Sequence, residues 1–167
     1  MGRYYNTNNF SGKFGFAVQS SDDPEIFGME AQEPTSIDYY LEATDESKAQ
    51  VRKVLDEQYD ILKVPQEERI YAVDPKNADE AWDKISDAID KRMWRPYDEE
   101  KDKKEIGYAL SDETCKALGW KKNENGCYPS ALPVAPGMDL ASCRVYLGVK
   151  ILSDLETDGY CDLNAEL

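Results

Sequence analysis

Residues 160–167 read YCDLNAEL, and apolar and polar side chains alternate through the whole stretch. The side chains on the apolar side are Cys161, Leu163, Ala165 and Leu167, and those opposite are Tyr160, Asp162, Asn164 and Glu166. Strict alternation of this kind is typical of a strand with one buried face. We therefore predict a C-terminal strand over residues 160–166 that belongs to a half-buried sheet.

Two earlier segments, residues 13–19 and 36–42, show the same period of two. Their predicted buried side chains are Phe14, Phe16, Val18, Ile37, Tyr39 and Leu41. Residues 20–24, SSDDP, have the composition of a turn, which ends the first strand. We expect these two strands to pair with each other and the C-terminal strand to join them.

Four segments instead show a helical period, namely residues 45–63, 78–93, 111–118 and 139–157. Thr44 is the predicted N-cap of the first helix and Ser111 that of the third. The predicted apolar stripe of the first helix is Val51, Val54, Leu55, Tyr59 and Leu62, that of the second is Trp82, Ile85, Ile89 and Met93, and that of the last is Leu140, Cys143, Leu147, Ile151 and Leu155. Stripes of this width pack one side of a helix against a core.

The segments between these elements indicate loops. Residues 95–105 are highly charged, and residues 121–137 are rich in Pro and Gly. Taken together, the elements predict one α+β domain over residues 1–167, with a small, mainly antiparallel sheet and helices packed on one face.

The composition narrows the function. The chain has 34 acidic and 20 basic residues, a net charge of −14, and no histidine. The charge opposes binding to nucleic acid or to an anionic membrane and favours a basic protein partner. The lack of histidine removes Ser-His-Asp and Cys-His catalysis and the usual zinc hydrolase ligands. We therefore expect no cofactor and no membrane span, and we expect a cytoplasmic protein.

The four cysteines are Cys115, Cys127, Cys143 and Cys161. No two of them have the C-x-x-C spacing of a zinc site, so we expect reduced thiols, with Cys143 and Cys161 in the core.

A regular row of carboxylates lies on the second predicted helix. Asp79, Asp83, Asp87 and Asp90 follow at i, i+4, i+8 and i+11, opposite the apolar stripe. Four residues of helix rise about 6 Å, a spacing that can imitate successive phosphates of a DNA strand. The alternative is an ordinary solvated helix face, interrupted by Lys84 and Lys91.

Further partner-binding candidates surround this row. Glu42, Glu46 and Glu57 decorate the first helix and its entry, and extend the negative surface if both helices expose their acids on one side. Trp94 and Tyr97 follow the second helix and are predicted to be exposed, where aromatic side chains often anchor interfaces.

A metal site is a separate possibility. Asp22 and Asp23 follow the first predicted strand, and Asp38 lies on the neighbouring one, so the three could hold Mg²⁺. No further acid, lysine or histidine is spaced to complete a catalytic site, so the turn interpretation is favoured and no catalytic or metal residue is assigned.

One short stretch has a recognisable pattern, formed by Phe10, Ser11, Gly12, Phe14, Phe16, Gln19 and Ser20. This pattern resembles a segment of anti-CRISPR proteins that inhibit type V Cas effectors, and the layout of the chain is similar to small phage-encoded proteins. The resemblance implies a counter-defence role. It does not imply guide-RNA cleavage, because no catalytic residue matches in the stretch.

These observations favour one function hypothesis over two others. The first is a non-enzymatic phage or mobile-element inhibitor that binds the nucleic-acid groove of a basic host protein, such as a CRISPR effector, in the host cytoplasm. The second is a structural or assembly module of a phage. The third is a Mg²⁺-dependent nuclease-like enzyme. The sequence leaves the oligomeric state open.

Overall fold

The structure is a computed structural model that describes residues 4–13, 22–32, 38–103 and 107–166. Within these residues the order of elements is β1 (Tyr4–Asn6), β2 (Ser11–Lys13), α1 (Asp22–Ile26), β3 (Glu30–Ala31), β4 (Asp38–Glu42), α2 (Asp45–Ile61), α3 (Ala78–Met93), β5 (Trp94–Pro96), α4 (Asp112–Ala117), β6 (Ala131–Pro133), α5 (Met138–Asp158) and β7 (Tyr160–Glu166). Two single-turn 3-10 helices, Gln66–Glu68 and Pro75–Asn77, connect α2 to α3. The predicted α+β class is confirmed.

The main sheet has the strand order β2-β1-β7-β4-β3, and every pair in it is antiparallel. The C-terminal strand β7 is therefore central, with Tyr39 opposite Leu163 on one side and Tyr5 opposite Ala165 on the other. These side chains are buried in one core with residues of α2, α3 and α5. The predicted strand over 160–166 and its buried side are confirmed, and the helices cover one face of the sheet.

The N-terminal part of the sheet differs from the prediction. Residues 14–19 of the first predicted strand lie outside the described residues, and so do residues 36 and 37 of the second. The strand β4 pairs with β7 and with the short β3, which was not predicted. In place of the predicted turn, α1 begins at Asp22. Acidic residues and a proline in a first helical turn are favourable there, because that turn's N–H groups have no partner within the helix.

The long helices match their predictions closely. Thr44 caps α2, since its hydroxyl accepts from Ser47 N at 3.0 Å and Ser47 Oγ accepts from Thr44 N at 2.8 Å. The helix ends at Ile61, two residues before the predicted end, where Lys63 adopts a φ of 59°. The predicted stripe of α2 is buried throughout.

The helix α5 is the most deeply buried helix of the described chain, since its side chains are covered on several sides. Even polar residues of its last turns are buried. Ser153 Oγ accepts from Val73 N at 2.9 Å, and Asp154 Oδ1 accepts from Asn9 Nδ2 at 2.8 Å. These bonds attach the α2–α3 connector and the turn after β1 to the same helix.

The two predicted loops contain a small second sheet. β5 lies at the start of the charged segment and pairs with β6, which lies inside the segment rich in Pro and Gly. Each strand has three residues and ends in proline, which sheets tolerate at their edges. Strands this short carry no readable alternation, so sequence patterning could not predict them.

Gly148 of α5 lies where the core leaves no space for a side chain. A Cβ atom on this glycine would lie 2.5 Å from Phe27 Cε1 and 2.6 Å from Leu55 Cδ2. Both neighbours are fully buried, so neither side chain has free space to move into. The absence of a side chain at position 148 therefore sets the distance between α5 and α2.

We predict that Gly148→Ala lowers the free energy of unfolding. Overpacking costs about 1–3 kcal/mol, which outweighs the roughly 1 kcal/mol that alanine gains in helix propensity. Gly148→Val should cost more. Urea denaturation measures both, with Ser142→Ala on the same helix as a near-neutral control. A Gly148→Ala variant as stable as wild type would show that the contact is not tight.

Candidate protein-binding surfaces

Three carboxylates of the predicted row are exposed on α3. Asp79, Asp83 and Asp87 all face solvent, while Ile85 and Ile89 on the opposite side are buried. None of the three forms an ion pair with a residue that the structure describes. This part of the predicted row is therefore an accessible line of negative charge, which we call the α3 row.

The basic residues of α3 are directed to other acids. Lys84 pairs with Glu80 at 3.3 Å, and Lys91 pairs with Glu68 at 2.6 Å. Arg92 also binds Glu68, and the hydrogen bonds from both cations hold the pKa of that carboxyl below its usual value. The two lysines that interrupt the row in sequence are thus engaged by Glu80 and Glu68.

Asp90, the fourth predicted member, has a different environment. It is half-buried and accepts hydrogen bonds from Trp94 Nε1 at 3.1 Å and from Ser86 Oγ at 3.4 Å. Burial raises the pKa of its carboxyl above the ordinary value. Asp90 is therefore less accessible than the other three members of the predicted row, and in the structure it holds the chain that leaves the helix.

Trp94 and Tyr97 are half-buried, contrary to the prediction that they are exposed. The ring of Trp94 packs on that of Tyr108, with 5.6 Å between centroids, and the backbone N–H of Tyr97 donates to Ser130 O at 2.6 Å. Both residues are used to build the small sheet.

A cleft of about 920 Å³ adjoins this small sheet, and its polar groups bind one another. Arg95 donates to both oxygens of Asp102, at 2.8 and 2.9 Å, and Tyr108 OH lies 3.2 Å from Asp139 Oδ2. The hydrogen bonds from Arg95 are the main cause that lowers the pKa of Asp102 to about 2. These four side chains are therefore paired with one another, and the charged side chains of Glu100, Lys101 and Lys103 also line the cleft.

The acids predicted around α2 divide into two groups. Glu46 and Glu57 are exposed on the helix, and Glu42 is exposed on β4. By contrast, Arg69 binds Asp56 at 3.0 Å and Asp60 at 2.6 Å, so part of the negative charge on α2 is compensated.

The solvent face of the main sheet gathers aromatic and acidic side chains, and we call it the outer sheet face. Tyr40 of β4 and Tyr160 of β7 stack with 6.0 Å between centroids and 23° between ring planes. Tyr40 lies opposite Asp162, and Glu42 lies opposite Tyr160. Sequence alternation predicted that these side chains point outward. The stacking was missed, because it depends on the register between two strands that are distant in sequence.

A polar cleft of about 500 Å³ opens on the same face. Its lining includes Asn6, Thr7, Asn8, Asp38, Asp162 and Asn164. Some of these side chains bond to one another or to the nearby backbone, since Asn8 donates to Tyr160 O and Asn164 donates to Asp38.

Two of the three hypothetical Mg²⁺ ligands, Asp23 and Asp38, bind other side chains. Asp23 is buried, and Arg144 donates to its Oδ1 through both Nε and a terminal nitrogen, each at 2.9 Å. Asp38 instead accepts from Asn164. The side chain of Asp22 lies outside the described residues. Over the described parts of the chain, no group of three potential ligands could hold a metal ion.

The four cysteines are free thiols in the structure. Cys161 is fully buried and Cys143 packs on the edge of the core, as predicted. Cys161 Sγ donates to Asp154 Oδ2 at 3.6 Å, and burial raises the pKa of this thiol. Cys161 is therefore a poor nucleophile.

Comparison with known proteins finds no relative of this chain. It matches no protein-family model, no curated protein and no solved structure. Among the described residues, no helix combines the length and apolar character needed to cross a bilayer.

We predict that Asp90→Asn is at least as stable as wild type at pH 7. The amide keeps an acceptor for Trp94 and removes a half-buried charge. The raised folded-state pKa means that ionised Asp90 opposes folding. This cost is complete above the folded-state pKa and disappears as the pH falls to the ordinary value of 3.8.

Urea denaturation at pH 7 and at pH 4 measures this effect, and the advantage of the variant should shrink at the lower pH. Asp83→Asn, at an exposed position of the same helix, should change the free energy of unfolding by no more than about 0.5 kcal/mol. A clearly less stable Asp90→Asn variant at pH 7 would contradict the assigned cause of the pKa shift.

Proposed function

We propose that this chain is a non-enzymatic inhibitor that binds the basic nucleic-acid groove of a host defence protein and blocks it. The observation that carries the proposal is the α3 row. Its three carboxylates are exposed, regularly spaced and without counter-ions among the described residues, whereas the neighbouring cations are bound to other acids.

The spacing of the row supports this role. Carboxylates four residues apart on a helix are separated by about 6 Å along the axis. Successive phosphates of one DNA strand advance about 3.4 Å along the duplex axis and lie farther apart through space, so the row has a spacing of the same order. A groove lined by Lys and Arg attracts such a row at long range, and this attraction raises the association rate. Because the helix is buried on its other side, the row is presented on a rigid support.

The resemblance of residues 10–20 to anti-CRISPR proteins narrows the proposed partner to a CRISPR effector of type V. The proposal then places the chain in the cytoplasm of a phage-infected cell. It requires no cofactor, no metal and no contact between the chain and nucleic acid. Inhibition follows because the effector cannot bind target DNA and the α3 row in the same groove.

We predict that the protein displaces labelled target DNA from a type V Cas effector bound to guide RNA. The combined substitution Asp79→Asn, Asp83→Asn and Asp87→Asn should lower the association rate about tenfold at low salt and flatten its salt dependence. Fluorescence anisotropy measures the displacement, and stopped-flow kinetics measure the rate.

A matched control changes the charge equally at other exposed positions, through Glu67→Gln, Glu99→Gln and Glu124→Gln. This variant should act as wild type does if the arrangement of the charges matters rather than their sum. No displacement of DNA by the wild-type protein would reject the effector as partner. Equal effects of the two triple variants would reject the α3 row as the binding site.

A further inference from the structure

Among the described residues, all of the exposed aromatic side chains lie on the outer sheet face. Five large hydrophobic side chains are exposed among the described residues, and three of them are tyrosines of this face. Tyr4 is 54% exposed, Tyr40 38% and Tyr160 41%. A solvated sheet face needs no aromatic side chains, whereas tyrosine is enriched where proteins bind other proteins.

Strands β3, β4 and β7 of this face carry negative charge, while the edge strand β2 places Lys13 opposite Tyr4. On β1, β3, β4 and β7, the outward side chains that the structure describes include four carboxylates and no cation. The carboxylates belong to Glu30, Asp38, Glu42 and Asp162. A complementary partner is therefore positively charged, and a second copy of this chain would oppose like charges if it docked through the same face.

The arrangement within the face selects the kind of cation. Tyr40 lies opposite Asp162 and Tyr160 opposite Glu42, so aromatic rings and carboxylates alternate on the two strands. Directly opposite side chains have Cβ atoms about 5 Å apart. A planar guanidinium can stack on a tyrosine ring and reach the carboxylate across from it, whereas an ammonium group cannot make both planar contacts.

The cleft beside the stacked tyrosines can receive the backbone of a peptide whose arginine side chain contacts the rings. Asn8 is already bonded, since it donates to Tyr160 O at 2.7 Å and accepts from Asp162 N at 2.9 Å. Asn164 donates to Asp38. The amide of Asn6 and the side-chain oxygen of Asn164 can pair with the N–H and C=O groups of a peptide backbone. Its volume of about 500 Å³ accommodates a short extended segment rather than a folded domain.

From this geometry we infer that the outer sheet face binds an extended, arginine-bearing segment of a partner protein. The guanidinium groups pack on Tyr40 and Tyr160 and pair with Asp162 and Glu42, while the polar cleft receives the backbone. This site lies on a different surface from the α3 row and does not depend on it, so it adds a second point of attachment to the proposed inhibitor.

The test uses the full-length protein and two fluorescent peptides of equal length and charge, one of alternating Arg and Gly and one of alternating Lys and Gly. We expect the arginine peptide to bind at least threefold more tightly at moderate salt. The variant Tyr40→Ala with Tyr160→Ala should abolish this preference, whereas Tyr40→Phe with Tyr160→Phe should keep it, since the rings remain. The α3 row variant should keep the preference as well.

Circular dichroism checks that each variant is folded. If the double alanine variant does not fold, Glu42→Gln with Asp162→Asn serves in its place and should weaken binding of the arginine peptide at least threefold. Equal binding of the two peptides to wild type would overturn the inference. A wild-type dimer in sedimentation that the sheet-face substitutions convert to a monomer would also overturn it, in favour of a contact between copies.

Discussion

The rest of the structure depends on the close packing of α5 against α2. Gly148 brings the two helices near enough for Phe27 and Leu55 to fill the space where a side chain would lie. Because α5 is deeply buried and one glycine joins it to β7, the position of α5 determines the position of β7. β7 is consequently the central strand of the main sheet. Strands β1 and β4 then pair on either side of β7, although they are far from it in sequence.

This arrangement uses one face of the sheet for the core and leaves the other to solvent. The same central helix supports α3, whose apolar stripe faces inward and whose Asp79, Asp83 and Asp87 face outward. The result is two negatively charged surfaces. One is a row of separate carboxylates on a helix, and the other is a sheet face on which tyrosines and acidic residues alternate. Part of the net charge of −14 lies on these two surfaces, while several other acids are held in ion pairs.

Sequence patterning predicted the elements that are long enough to show several repeats of their period. The helices α2, α3 and α5 and the strand over 160–166 each offer several turns or alternations, so their faces could be assigned, whereas α1, with five residues, begins where a turn was predicted. Strands β1, β3, β5 and β6 have only two or three residues, and no period is visible at that length. Asp90 has the helical phase of an exposed residue, but Trp94 folds back over it from the chain beyond the helix. The position of a residue around a helix does not indicate which side chains from later parts of the chain cover it.

The central role of α5 and β7 is tested most directly by native-state hydrogen exchange. If these elements hold the fold together, the amides of residues 145–155 and 161–165 should exchange slowest and only through global unfolding, with a free energy equal to that measured in urea. The amides of β5, β6 and α4 should exchange faster, through local opening. Exchange from α5 at a lower free energy than exchange from α2 would contradict this account.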